Sequence, residues 1–169
     1  MALVIVAVIM IFTGVSQRAG AQSAQPDTAW HHAAWLSGGV GVGNSYAIAA
    51  NGSANYSTRS FVITARAAGT AKWVGAGVND VALMAGVRTS GRHTFFTATA
   101  GLARATPVES CDACGDLRFP SQGALAYEAG AHANWTVIGV GATLSGVDGT
   151  GRAHYVAITV SFQAGDFGW

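Results

Sequence analysis

Beyond about residue 34, apolar and polar positions alternate with a period of two almost to the end of the chain, the pattern of strands with one greasy and one polar face. Leu36, Val40 and Val42 oppose Trp35, Ser37, Gly39, Gly41 and Gly43, and Tyr46, Ile48, Ala50, Ala54 and Tyr56 oppose Ala47, Ala49, Asn51, Ser53 and Asn55. The same division sets Phe61, Ile63, Ala65 and Ala67 against Val62, Thr64, Arg66 and Ala68, then Val81, Leu83, Ala85 and Val87 against Ala82, Met84, Gly86 and Arg88. It continues with Phe96, Ala98, Ala100 and Leu102 against Phe95, Thr97, Thr99 and Gly101, and with Leu125, Tyr127, Ala129 and Ala131 against Ala126, Glu128, Gly130 and His132. The last two runs set Ile138, Val140, Ala142 and Leu144 against Val137, Gly139, Gly141 and Thr143, and Val156, Ile158, Val160 and Phe162 against Tyr155, Ala157, Thr159 and Ser161. About eight strands follow, each near the ~9–11 residues that cross a bilayer at a tilt.

The predicted connections fall into two classes. Those around Ser57-Thr58-Arg59, Thr89-Ser90-Gly91-Arg92 and Asn134-Trp135 are tight, whereas those spanning Thr70–Asn79, Ala105–Gly123 and Ser145–Arg152 are longer. The link at Asn44-Ser45 is short and departs from this alternation. Tight turns at one end and long loops at the other suit a barrel in a bacterial outer membrane. With the first strand leaving the periplasm, an aromatic girdle of Trp35, Tyr56, Phe61, Phe96, Trp135 and Phe162, joined by Phe95, is expected at the periplasmic rim. Tyr46, Trp73, Phe119, Tyr127 and Tyr155 fall toward the other rim.

Charge sharpens this picture. Only 10% of the residues are charged, against about 25% in an ordinary soluble domain, and 9 Lys plus Arg nearly balance 8 Asp plus Glu, which argues against a nucleic-acid partner. Arg66, Arg88, Glu128 and His132 all fall on the small, polar parity. They are expected inside the barrel as a lumenal charge network in which Glu128 pairs with Arg66, Arg88 or both. Such a network is either a plug of mutually neutralised charges or a gated path for protons or ions, and pairing is what makes buried charge tolerable. Arg104 shares the greasy parity near a loop, where it can reach lipid headgroups or lipopolysaccharide phosphates.

Residues 1–21 read as a secretory signal, with an unbroken apolar run from Leu3 to Phe12 and a cleavage site at Ala19-Gly20-Ala21. Residues 22–34 form a polar lead that includes His31 and His32, and residues 35–169 form the barrel domain. Cys111 and Cys114 lie in the longest link, where an oxidising compartment favours a local loop disulfide. A redox role for this C-x-x-C needs a βαβ setting that the pattern does not supply, and zinc needs two further ligands that are not nearby.

Taken together, these features resemble the small eight-stranded outer-membrane β-barrels of the OmpA/OmpX type, over residues 35–162. The resemblance implies an all-β, antiparallel, up-and-down transmembrane β-barrel with both termini periplasmic, no cofactor, no catalytic or metal residues, and a monomeric state. It also implies contact with outer-membrane lipid and lipopolysaccharide, and insertion by the barrel-assembly machinery. The strand containing Tyr155, Val156, Ile158, Val160 and Phe162 looks like the assembly signal, with Phe162 or Trp169 as its terminal aromatic. Function is then a structural, envelope or loop-mediated surface role. Two other readings stay open: a secreted soluble barrel holding an apolar ligand, and an outer-membrane lipid-modifying enzyme using His154 and Ser145 near the outer rim.

Overall fold

The computed structural model describes residues 32–72, 75–89, 91, 93–111 and 115–167. The signal segment, most of the polar lead, Trp73, Cys114 and Trp169 lie outside the described residues, and Cys111 is described in its backbone alone. The elements are β1 (His32–Gly43), a single 3-10 turn (Asn44–Tyr46), β2 (Ile48–Thr58), β3 (Phe61–Ala71), β4 (Gly75–Arg88), β5 (Thr94–Cys111), β6 (Gly115–Arg118), β7 (Gln122–Trp135), β8 (Ile138–Gly149) and β9 (His154–Asp166).

All pairings are antiparallel, and β1 pairs with both β2 and β9, which closes eight of the strands into a barrel. The ninth, β6, pairs only with the outer part of β5. Following the register once around, Ala33 leads through Ser57, Val62, Gly86, Thr99, Glu128, Ser145 and Ala157 back to β1 at Gly43, ten residues further on. A stagger of that size accompanies the roughly 35–45° strand tilt of closed barrels.

The barrel is apolar outside, and its buried polar and charged side chains are turned inward. Leu36, Val40, Leu83, Leu102, Ile158 and Val160 are all exposed, while Ser57, Thr64, Arg66, Thr143, Thr159 and Gln163 are buried. The eight wall strands are 11–18 residues long, enough to span a hydrocarbon layer at a tilt. Closure leaves no edge inside that layer, so the ladders satisfy the backbone without water.

The strands overrun the expected loops. The β3–β4 ladder continues to Thr70 opposite Val78, and β8 runs to Gly149, so these two links are shorter than the composition suggests. The turn between β7 and β8 is Thr136-Val137, two positions later than expected, because Asn134 and Trp135 still pair with Gly139 and Ile138. β1 starts three residues early, at His32, whose Nδ1 lies 2.7 Å from the Tyr56 hydroxyl. In all three places backbone pairing continues past the apolar alternation that marks strands in the sequence.

Candidate functional site

The lumen is the one interior the fold creates, and its side chains form two hydrophobic layers with a polar zone between and around them. Toward the long-loop end lies an alanine-rich layer of Ala49, Val78, Ala82, Met84, Ala103, Ala105, Ala126 and Val147. Toward the tight-turn end lies an aromatic layer of Ala33, Trp35, Val62, Phe95 and Phe167.

Arg66 is the centre of the polar zone. Its Nη2 donates to Asp80 Oδ1 at 3.0 Å and to the Gly146 carbonyl at 3.3 Å, and its Nη1 donates to the Tyr127 carbonyl at 3.2 Å. Glu128 Oε2 stands 3.6 Å from Nη1, an ion pair beyond hydrogen-bond reach. The Tyr155 hydroxyl donates to the other oxygen of Asp80 at 2.5 Å. Of the expected pairings the structure makes Glu128 with Arg66 and not with Arg88. Asp80 is the member that the sequence reading missed. It sits one position before Val81, where the apolar alternation begins, and shares the inward parity of Ala82 and Met84 in a Gly- and Asn-containing stretch that hides it.

Arg88 is held differently. Nη1 donates to Ser57 Oγ at 2.9 Å, Nη2 donates to the Phe167 carbonyl at 2.8 Å, and the guanidinium lies 4.1 Å from the Phe95 ring centre and 5.2 Å from that of Trp35. Among the described residues no carboxylate lies within ion-pair distance of it. His132 stacks on Phe95 at 4.6 Å between centroids. Its Nδ1 contacts the Gln163 side-chain amide, and its Nε2 lies 2.9 Å from Thr97 Oγ1.

The expected girdle needs one correction. Tyr56, Phe61, Phe96, Trp135 and Phe162 do face outward near the tight-turn end, but Trp35 is only 3% exposed and points into the lumen. It belongs to the odd positions of β1 that face inward, and packs edge-on against Phe95 at 5.4 Å. Phe95 and Tyr155 are inward for the same reason, so their place near a rim does not make them headgroup residues. Within the expected assembly strand, Val156, Ile158, Val160 and Phe162 face outward and Tyr155 inward.

At the long-loop end β4, β5 and β6 rise beyond the rest of the wall as a three-stranded fin, with Gly75 opposite Ser110 and Ser110 opposite Asp116. Arg152 ties the β8–β9 loop to it, donating to Glu109 at 2.6 Å and covering the Phe119 ring at 5.4 Å. Arg104 lies on the outer face near this end and donates to Ser121 Oγ at 2.6 Å. Ser145 is buried in the lumen whereas His154 is exposed on the outer face, so the two do not form a nucleophile and base pair. No group of three His, Cys, Asp or Glu fit to hold a metal ion occurs among the described residues.

No protein-family model and no curated protein matches the chain. Solved structures do. The N-terminal β-barrel domain of Pseudomonas aeruginosa OprF is 18% identical, with a TM-score of 0.59 over 80% of this chain and 99% of that one. Neisserial surface protein A (NspA) is 9% identical, with a TM-score of 0.57 over 80% and 96%. The attachment invasion locus protein Ail of Yersinia pestis is 13% identical, with a TM-score of 0.55 over 82% and 100%. At these identities the likeness is one of fold, and that fold is the small eight-stranded barrel of the OmpA/OmpX type.

Proposed function

We propose that the chain is an integral outer-membrane β-barrel protein without enzymatic activity, with a lumen filled by side chains and a structural, envelope or surface-interaction role borne by its long-loop end. The observation that carries this reading is the exposed surface: a closed wall whose outer side is Leu, Val, Ile and Phe while the strand charges Arg66, Asp80 and Arg88 are buried inside. Water would not support an exposed apolar belt of that extent, and lipid selects it. The soluble ligand-binding alternative requires the opposite arrangement.

In this reading the tight turns and the outward aromatics Tyr56, Phe61, Phe96, Trp135 and Phe162 stand at the periplasmic rim, and the fin is extracellular. Residues 1–21 direct export, Cys111 and Cys114 form a disulfide in the fin, and Arg104 meets lipid headgroups or lipopolysaccharide phosphates. The outward side of β9 is offered to the assembly machinery.

Orientation is tested with single cysteines in a background where Cys111 and Cys114 are Ser. Thr150→Cys at the long-loop end is expected to react with an impermeant maleimide on intact cells, and Ser60→Cys only after the outer membrane is breached. The reverse pattern contradicts the orientation, and a protein recovered without membranes contradicts the reading as a whole.

A further inference from the structure

The last inward positions of β9 run Thr159, Ser161, Gln163, and the strand then ends differently from the others. Gly165 has φ +155°, and a Cβ there would run into the Ala34 carbonyl and Trp35, so the chain passes β1 more closely than a side chain allows. Two residues later Phe167 enters the barrel mouth and is 1% exposed. Its ring lies 6.1 Å from that of Trp35 and 6.2 Å from that of Phe95, and its carbonyl receives the Arg88 hydrogen bond.

The wall carries polar atoms with no hydrogen-bond partner among the described residues: Ser161 Oγ and Gln163 Oε1 deeper in β9, and both polar atoms of Asn134 beside the β7–β8 turn. Their side chains are more than nine-tenths buried. Ser161 pairs with Gly141 and Gln163 with Gly139, and over Gly141 the Gln163 amide reaches His132 on β7, so these side chains pack against one another across β8.

We propose that Phe167 is a stopper seated in a receptor made of Trp35, Arg88 and Phe95, which shuts the tight-turn mouth of the barrel over the buried polar side chains of Ser161 and Gln163. The receptor is matched to its occupant in two ways. Two rings pack against the phenyl group, and a buried cation with no carboxylate partner among the described residues gives its hydrogen bond to the backbone oxygen. The inference rests on the membrane-barrel reading only for the closed wall.

The test uses Ser161→Cys in the full chain, with Cys111 and Cys114 replaced by Ser, refolded in detergent micelles and treated with a small charged methanethiosulfonate. Folding is read separately from the heat-dependent shift on SDS gels. The thiol is expected to be protected, and Phe167→Ala to raise its modification rate by about an order of magnitude while the gel shift persists. Phe162→Ala, which removes an outward ring from the same strand, is expected to leave the thiol protected. Gly165→Ala displaces the same segment by crowding Trp35 and serves as a second opening variant. Equal rates with and without Phe167, or equal opening by Phe162→Ala, overturn the stopper; a missing gel shift in every variant instead overturns the barrel.

Discussion

At the scale of single residues the lumen is held by charges that can be neither solvated nor left alone. Arg66 and Asp80 have fully buried side chains and Glu128 is nearly so. Breaking a buried pair by removing one partner typically costs about 3–5 kcal/mol, because the survivor is stranded. Arg66→Met is therefore expected to lower the unfolding free energy, measured by urea titration in lipid vesicles, by about that amount. Replacing Asp80 as well with Leu is expected to restore part of it, and additive losses from the two changes would show that they are not coupled. Arg66, Arg88, Glu128 and His132 were legible inside the barrel because a mid-strand charge on the greasy parity would face hydrocarbon. Their partners were not legible, since parity assigns a side of the wall and says nothing about which strand lies across the lumen. Trp35 lies near a rim yet points inward, because its parity on β1 and not its nearness to the rim decides its side of the wall.

At the scale of elements, each strand has an outer side and a lumenal side, and on the proposed reading the two should respond in opposite ways to charge. Val160 is 63% exposed on β9, well inside the apolar band, so Val160→Arg is expected to cost about 2–4 kcal/mol and to reduce the folded band after insertion into vesicles. A cost near zero would mean that this face does not meet lipid. The fin obeys different rules. The Arg152–Glu109 pair is largely exposed, so Arg152→Ala is expected to change global stability by less than about 1 kcal/mol. It also removes the cover of Phe119, and limited proteolysis between residues 112 and 121 should accelerate. Unchanged cleavage there would show that the loop does not brace the fin. The sequence showed this region only as a long polar link, because β5 keeps its ladder through Thr106, Pro107 and Glu109, where apolar alternation has already stopped. Hydrogen bonds to neighbouring strands hold it, and they leave no trace in side-chain pattern.

At the scale of the whole molecule the eight-strand count, the inverted faces and the placement of the long link near Ala105–Gly123 were all available from periodicity, since each is a property of one strand or one connection. The ten-residue stagger and the closing of β1 on β9 were not, because they depend on register summed around the wall. The central claim is that this wall is closed and faces lipid. Its most direct test is to isolate the membranes of expressing cells and run the protein on SDS gels with and without boiling. The account predicts that the protein is found in the outer-membrane fraction, resists extraction by salt and carbonate, and runs as a compact band that shifts on boiling. A protein released without detergent, or one whose mobility is indifferent to heat, would contradict it.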